Sequence, residues 1–228
     1  MTDTAIISFS DVTFSFPGKP ALIQDLSFEF HSGTFYVIKG PSGAGKSTLL
    51  RLINRLEEPL RGEIRFKSKP LPSYQPPLLR RSILYIQQTP TVIEGSVRDN
   101  LLLPFTLRNN KNLSRPDDRR LQTLLRDFLL DDVALEDHAH ALSVGQIQRI
   151  CFIRGLLLDP EILLLDEPAS SLDKESGRIV ESTALKLCRD SGLTVLMVSH
   201  RSTDIQEVEP VIIQMADGQL RVIAWDRK

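Results

Sequence analysis

The chain of 228 residues has little cysteine, no long apolar run and no excess of either charge, and each shortage excludes something. Cys151 and Cys188 are its two cysteines. Two thiols cannot build a disulfide framework, and they read as small core residues of a protein kept in a reducing compartment. The longest apolar stretches, Leu193 to Val198 and Ile162 to Leu165, fall far short of the ~20 residues that a membrane-spanning helix needs. The opening Met1-Thr2-Asp3-Thr4 lacks the basic start and apolar run of a signal peptide. Lys plus Arg number 28 and Asp plus Glu 29, for a formal net charge of -1. Bulk electrostatic attraction to nucleic acid is therefore not expected. With 41% hydrophobic and 25% charged residues, the chain has the balance of a globular protein and not of a disordered one. It shows no internal repeat, low-complexity tract or Gly/Ser linker.

What is present is a set of short apolar segments in two styles. Ile7 and Phe9, Val12, Phe14 and Phe16, then Leu26, Phe28 and Phe30 stand two apart, the spacing of half-buried antiparallel strands. From Thr34 onward the runs are continuous: Thr34 to Lys39, Ile83 to Ile86, Ile162 to Leu165 and Leu193 to Val198. With a helical segment over Lys174 to Cys188, this is the alternation of a doubly wound parallel sheet. Gly62 to Phe66 reads as an edge strand, and Val211 to Gln214 with Leu220 to Ala224 as a hairpin about Asp217-Gly218. Between Pro90 and Gly155 the apolar residues Leu121, Leu124, Leu125, Phe128 and Leu129 fall at helical spacing, so a mainly helical lobe is expected there. Pro70 to Pro77, with four prolines, reads as an exposed loop.

The strongest chemical signal is Gly40-Pro41-Ser42-Gly43-Ala44-Gly45-Lys46-Ser47, which matches the G-x-x-x-x-G-K-[ST] phosphate loop between a strand and a helix. Glycines let successive backbone N–H groups turn inward around phosphate oxygens, and the helix start adds its positive dipole end. Lys46 can reach the β- and γ-phosphates, and Ser47 can offer its hydroxyl to Mg²⁺. The spacing does not fit a dinucleotide fingerprint. A second element, Ile162 to Glu167, is an apolar strand ending in two carboxylates. In a parallel sheet that end faces the ligand crevice, so Asp166 would meet Ser47 around Mg²⁺. Glu167 could then orient or deprotonate the attacking water.

On these residues and several more, the chain resembles the ATP-binding subunit of ABC transporters over nearly its whole length. Leu142-Ser143-Val144-Gly145-Gln146 is similar to the family's LSGGQ signature and is followed by Ile147-Gln148-Arg149. Ala169 to Asp173 looks like the D-loop, Gln88 like the Q-loop glutamine and His200 like the switch histidine. Phe16 stands where the family places the aromatic that stacks on adenine. The resemblance implies an α/β P-loop ATPase: a mainly parallel sheet core, an antiparallel N-terminal β subdomain and an inserted helical lobe. It implies one ABC-type domain over 1–228, with the nucleotide-binding core in 1–88 and 156–228 and the signature lobe in 89–155.

The resemblance also implies roles. ATP would be held by Phe16, by Gly40 to Lys46, by Ser47 and by Thr48. A second subunit's site would be completed in trans by Ser143, Gly145, Gln146 and Asp173. Mg²⁺ would be held by Ser47, Gln88 and Asp166, with Glu167, His200, Lys46 and Gln88 serving hydrolysis. Val144 departs from the pattern, which has glycine, and its side chain would crowd the close approach of the two subunits.

The implied partners are a second ATP-binding subunit, read as another copy of this chain, and a membrane permease docked on the groove that opens at Gln88 to Pro104. That would place the chain in the cytoplasm, attached peripherally to the inner face of the cell membrane. The same stretch is similar to ATPases of the FetA/YbbL iron-export type. His138 and His140 read as a partly exposed approach to the signature, a metal site there lacking a third ligand. The competing class is a soluble ABC-type ATPase of DNA repair or translation. Such proteins carry long coiled coils, duplicated ATPase domains or zinc modules, and none is visible here. A small-molecule P-loop kinase would leave the signature and His200 unexplained.

Overall fold

Alternation near the N-terminus becomes an antiparallel sheet, and the continuous apolar runs become a parallel one. The computed structural model describes residues 5–170, 174–199 and 210–224. Strands β1 (Ala5–Phe14) and β2 (Ile23–His31) pair antiparallel and bury Ile7, Phe9, Val12 and Phe14 against Ile23, Leu26 and Phe30. Strand β3 (Phe35–Lys39) belongs to the second sheet and leads into helix α1 (Lys46–Ile53). Strand β4 (Arg61–Phe66) returns to β1, and the two-residue β5 (Lys69–Pro70) follows, giving the order β2-β1-β4-β5.

The stretch Pro70 to Pro77 is not the exposed loop its prolines suggest. It holds β5, a 3₁₀ turn at Leu71–Ser73 with Leu71 buried, and the start of helix α2 (Pro76–Ser82). Pro72, Pro76 and Pro77 sit in first helical turns, where the missing N–H is no loss.

The second sheet runs β10-β9-β3-β8-β7-β6. Its further strands are β6 (Ile83–Ile86), β7 (Ile162–Asp166), β8 (Thr194–Val198), β9 (Val211–Ala216) and β10 (Gln219–Ala224). All pairings are parallel except β9 with β10, the expected hairpin about Asp217-Gly218. Every residue of β7 and β8 is buried, as strands covered on both faces require. Alternate residues go to opposite faces. Ile162, Leu164, Leu196 and Val198 join one core with α1 and the antiparallel sheet. Leu163, Leu165, Val195 and Met197 join a second core with the helices.

Between β6 and β7 stand α3 (Val97–Thr106), α4 (Asp118–Asp127) and α5 (Val144–Leu156), so the helical character read for this interval holds. Each has a side-chain cap, from Ser96, Asp117 and Ser143. Helix α5 lies so close to β6 that a Cβ on Gly155 would fall on the Leu84 side chain. Helix α6 (Lys174–Ser191) joins β7 to β8. No helix among the described residues is long and apolar enough to cross a membrane.

Candidate nucleotide site

The parallel strands β3, β6, β7 and β8 all end at one edge of the sheet, and the functional residues follow those ends. After β3 the chain turns through residues 40–45. A Cβ on Gly40 would fall on the Met215 carbonyl oxygen, so the loop can lie this close to β9 only with glycine there. Gly43 (φ 80) and Gly45 (φ 96) take left-handed backbone conformations, which cost glycine little. Nothing stands within 4 Å of where a Gly43 Cβ would be, so the loop is open on that side. Gly45 caps α1, whose first N–H groups have no partner within the helix and face the loop.

Lys46 is buried at the helix start and donates from Nζ to the carbonyls of Gly40 and Pro41, each at 2.9 Å. Next to it, Ser47 donates from Oγ to Oδ1 of Asp166 at 2.9 Å, joining residues 119 positions apart. Thr48 is buried one residue on. Asp166, only 7% exposed, takes a second bond at Oδ2 from the Tyr85 hydroxyl at 2.7 Å. Burial, then the hydrogen bond and the charge of Asp166, hold the Tyr85 hydroxyl above the usual phenol range, against a smaller opposing influence from Arg51.

These residues suit a hard divalent cation. Carboxylate and hydroxyl oxygens are the ligands Mg²⁺ prefers, and Ser47 points its O–H at Asp166 in a hydrogen bond, which leaves its oxygen lone pairs free.

Glu167 follows with a left-handed backbone (φ 47), its N–H donating to Val198. Its carbonyl receives the Ser170 N–H at 3.1 Å and hydroxyl at 2.9 Å. Gln88, two residues past β6, donates from Nε2 to the Ser170 hydroxyl at 3.0 Å. Ser199 donates its N–H to Ile38 at 3.3 Å, so β8 carries the chain to the end of β3 just before His200. His200 and Asp173 themselves lie outside the described residues. Phe16 is 37% exposed and meets Phe14 edge-on at 5.0 Å, so it is not a core residue.

Ser143, Gly145 and Gln146 open α5, away from these strand ends in the chain. Ser143 and Gln146 form a capping box, and the Gln146 amide also donates to Asp132 at 3.1 Å. Gly145 accepts from Arg149, whose guanidinium also holds the carbonyls of Phe128 and Leu129. Val144 projects with 53% of its surface exposed. His138 and His140 stand 3.2 Å and 3.4 Å from the two oxygens of Glu94. No group of three or more His, Cys, Asp or Glu among the described residues is arranged to hold a metal ion. Cys151 and Cys188 are buried and free, and burial pushes the Cys188 thiol up to about 11, so they behave as core residues.

Sequence reasoning missed Tyr85 and Asp132, and it gave Arg149 no contact. Tyr85 pairs in register with Leu164, so it shares a sheet face with Leu164 and Asp166. That placement depends on strand order, which no local motif carries.

A family model described as ABC transporter matches residues 23–170. The chain belongs to the ABC transporter family. It is an ATP-binding, ATP-hydrolysing subunit of such a transporter. The family in general binds ATP with Mg²⁺. The chain is 34% identical over 210 residues to "Probable iron export ATP-binding protein FetA" of Escherichia coli K12, covering 92% of each chain. The relationship to FetA-like ATPases read from the residues thus holds. It is 33% identical to "ATP-dependent permease MDL2, mitochondrial" of Saccharomyces cerevisiae, over 96% of this chain but 29% of that protein. The cbiO1 structure from Clostridium perfringens, part of the ABC transporter complex cbiONQ, superposes with a TM-score of 0.80 at 23% identity. The match covers 96% of this chain and 88% of that one, and it shows the shared fold.

Proposed function

We propose that residues 1–228 act as one ABC-type ATPase domain, with a nucleotide-binding core in 1–88 and 156–228 and a signature lobe in 89–155. Two copies sandwich ATP, each phosphate loop facing the other copy's signature, and hydrolysis releases them. Phe16 stacks on adenine, residues 40–48 cradle the phosphates, and Ser143, Gly145, Gln146 and Asp173 complete the partner copy's site. Ser47, Asp166 and Gln88 hold Mg²⁺, which when bound neutralises phosphate charge. Glu167 accepts the proton of the attacking water, with His200 and Gln88 orienting it and Lys46 on the phosphates.

The observation that carries this reading is the Ser47–Asp166 bond beside the open glycine loop and the buried Lys46. The chain acts on the cytoplasmic face of the membrane, held there by the permease on the groove beyond Gln88, where Ile93 is 41% exposed. Its similarity to the iron-export protein supports a metal-ion exporter as the complex it serves.

The decisive variant is Glu167→Gln. ATP binding should stay within about twofold while hydrolysis falls roughly a hundredfold or more, the weight of a general base. With its ATP uncleaved, the variant should sediment as an ATP-dependent dimer. Near-normal turnover would remove Glu167 as the base.

A further inference from the structure

Asp166 has two carboxylate oxygens and both are engaged, yet the roles above use only the Ser47 side. We infer that Tyr85 is a positioning residue for the metal, its hydroxyl holding the Asp166 carboxylate in the orientation that turns Oδ1 toward Ser47 and the ion. The inference rests on the reading of Ser47 and Asp166 as metal ligands.

Three elements converge to make the arrangement. Helix α1 supplies Ser47, β7 ends in Asp166, and β6 brings Tyr85 to the same sheet face, paired with Leu164 two residues before the aspartate. The last torsion of an aspartate is soft, with no sharp staggered wells. One bond from Ser47 leaves the carboxylate free to swing about that contact. A second donor on the other oxygen, at 2.7 Å, pins it. Hydrogen bonds to an ionised acceptor are about twice as strong as neutral ones, and they strengthen in buried surroundings such as those of Asp166. The tyrosine ring packs half-buried against the first core, as a phenylalanine would. What the hydroxyl adds is the bond to the carboxylate. Tyr85 also lies three residues before Gln88, so one short strand governs two of the groups placed around the metal.

The test is Tyr85→Phe in the full chain, which keeps the ring and removes one oxygen. ATP binding is measured by calorimetry with excess Mg²⁺ and again with EDTA, and the ratio of the two affinities is the gain that metal confers. Affinity in EDTA should match that of the unaltered protein. The metal-conferred gain should fall roughly tenfold or more, the worth of one hydrogen bond to a charged group. An unchanged ratio would overturn the inference, and so would equal weakening with and without metal, which is what damaged packing produces. Asp166→Asn is measured in parallel. If its ratio is also unchanged, the metal-ligand reading fails and takes the inference with it. If its ratio falls while that of Tyr85→Phe does not, the inference alone is wrong. An unchanged melting temperature for Tyr85→Phe without nucleotide confirms that the comparison is between folded proteins.

Discussion

Phe16 shows how much a single residue's surroundings decide. On spacing it continues a row of core aromatics, yet 37% of its surface is open and it meets Phe14 in a T-shaped contact, so part of the side chain is available to a flat ligand. An aromatic stack contributes about 1 kcal/mol beyond the area it buries. Phe16→Ala should therefore weaken ATP binding about five- to tenfold in equilibrium titration and leave the Mg²⁺-conferred gain unchanged. An affinity within error of the parent would return Phe16 to a packing role. Residues such as Lys46, Ser47 and Asp166 were legible because their chemistry is tied to local backbone: a glycine turn, a helix start, the end of an apolar strand. Tyr85 was not, because its partner lies 81 residues away across a strand pairing.

At the scale of elements, α5 combines a normal helix start with an unusual side chain. Ser143 and Gln146 satisfy the first backbone groups, while Val144, the first helical residue, stands exposed where the proposed sandwich brings in the other copy's ATP. Val144→Gly should tighten the ATP-dependent dimer several-fold, measured by sedimentation in the Glu167→Gln background. The helix loses at most about 1 kcal/mol, the interior penalty of glycine. A dimer no tighter than the parent's would show that the valine is not in the way. Parallel strands, the hairpin and the helical interval could be read from continuous apolar runs, the Asp217-Gly218 turn and helical spacing. The error at Pro70 to Pro77 came from treating proline only as a breaker. In first turns its fixed φ favours the helix, and Leu71 gives the segment an anchor in the core.

For the molecule as a whole, the proposed function makes the permease its only hold on the membrane. The purified chain should stay in the supernatant when spun with neutral or anionic lipid vesicles, and pellet only with vesicles carrying its permease. Firm sedimentation with bare lipid would require a membrane contact built into the chain itself. Within the molecule, the parallel sheet acts as a partition. Leu164 faces one packed interior and Leu163 and Leu165 the other, so the phosphate loop's helix and the helical interval share almost no side-chain filling. A disturbance on the helical side, whether a cavity or the pull of a docked partner, reaches Asp166 through the sheet: along β7, which ends in it, and through β6, which α5 touches at Leu84 and which carries Tyr85. The sheet is thus both the wall between the two interiors and the one structure they share.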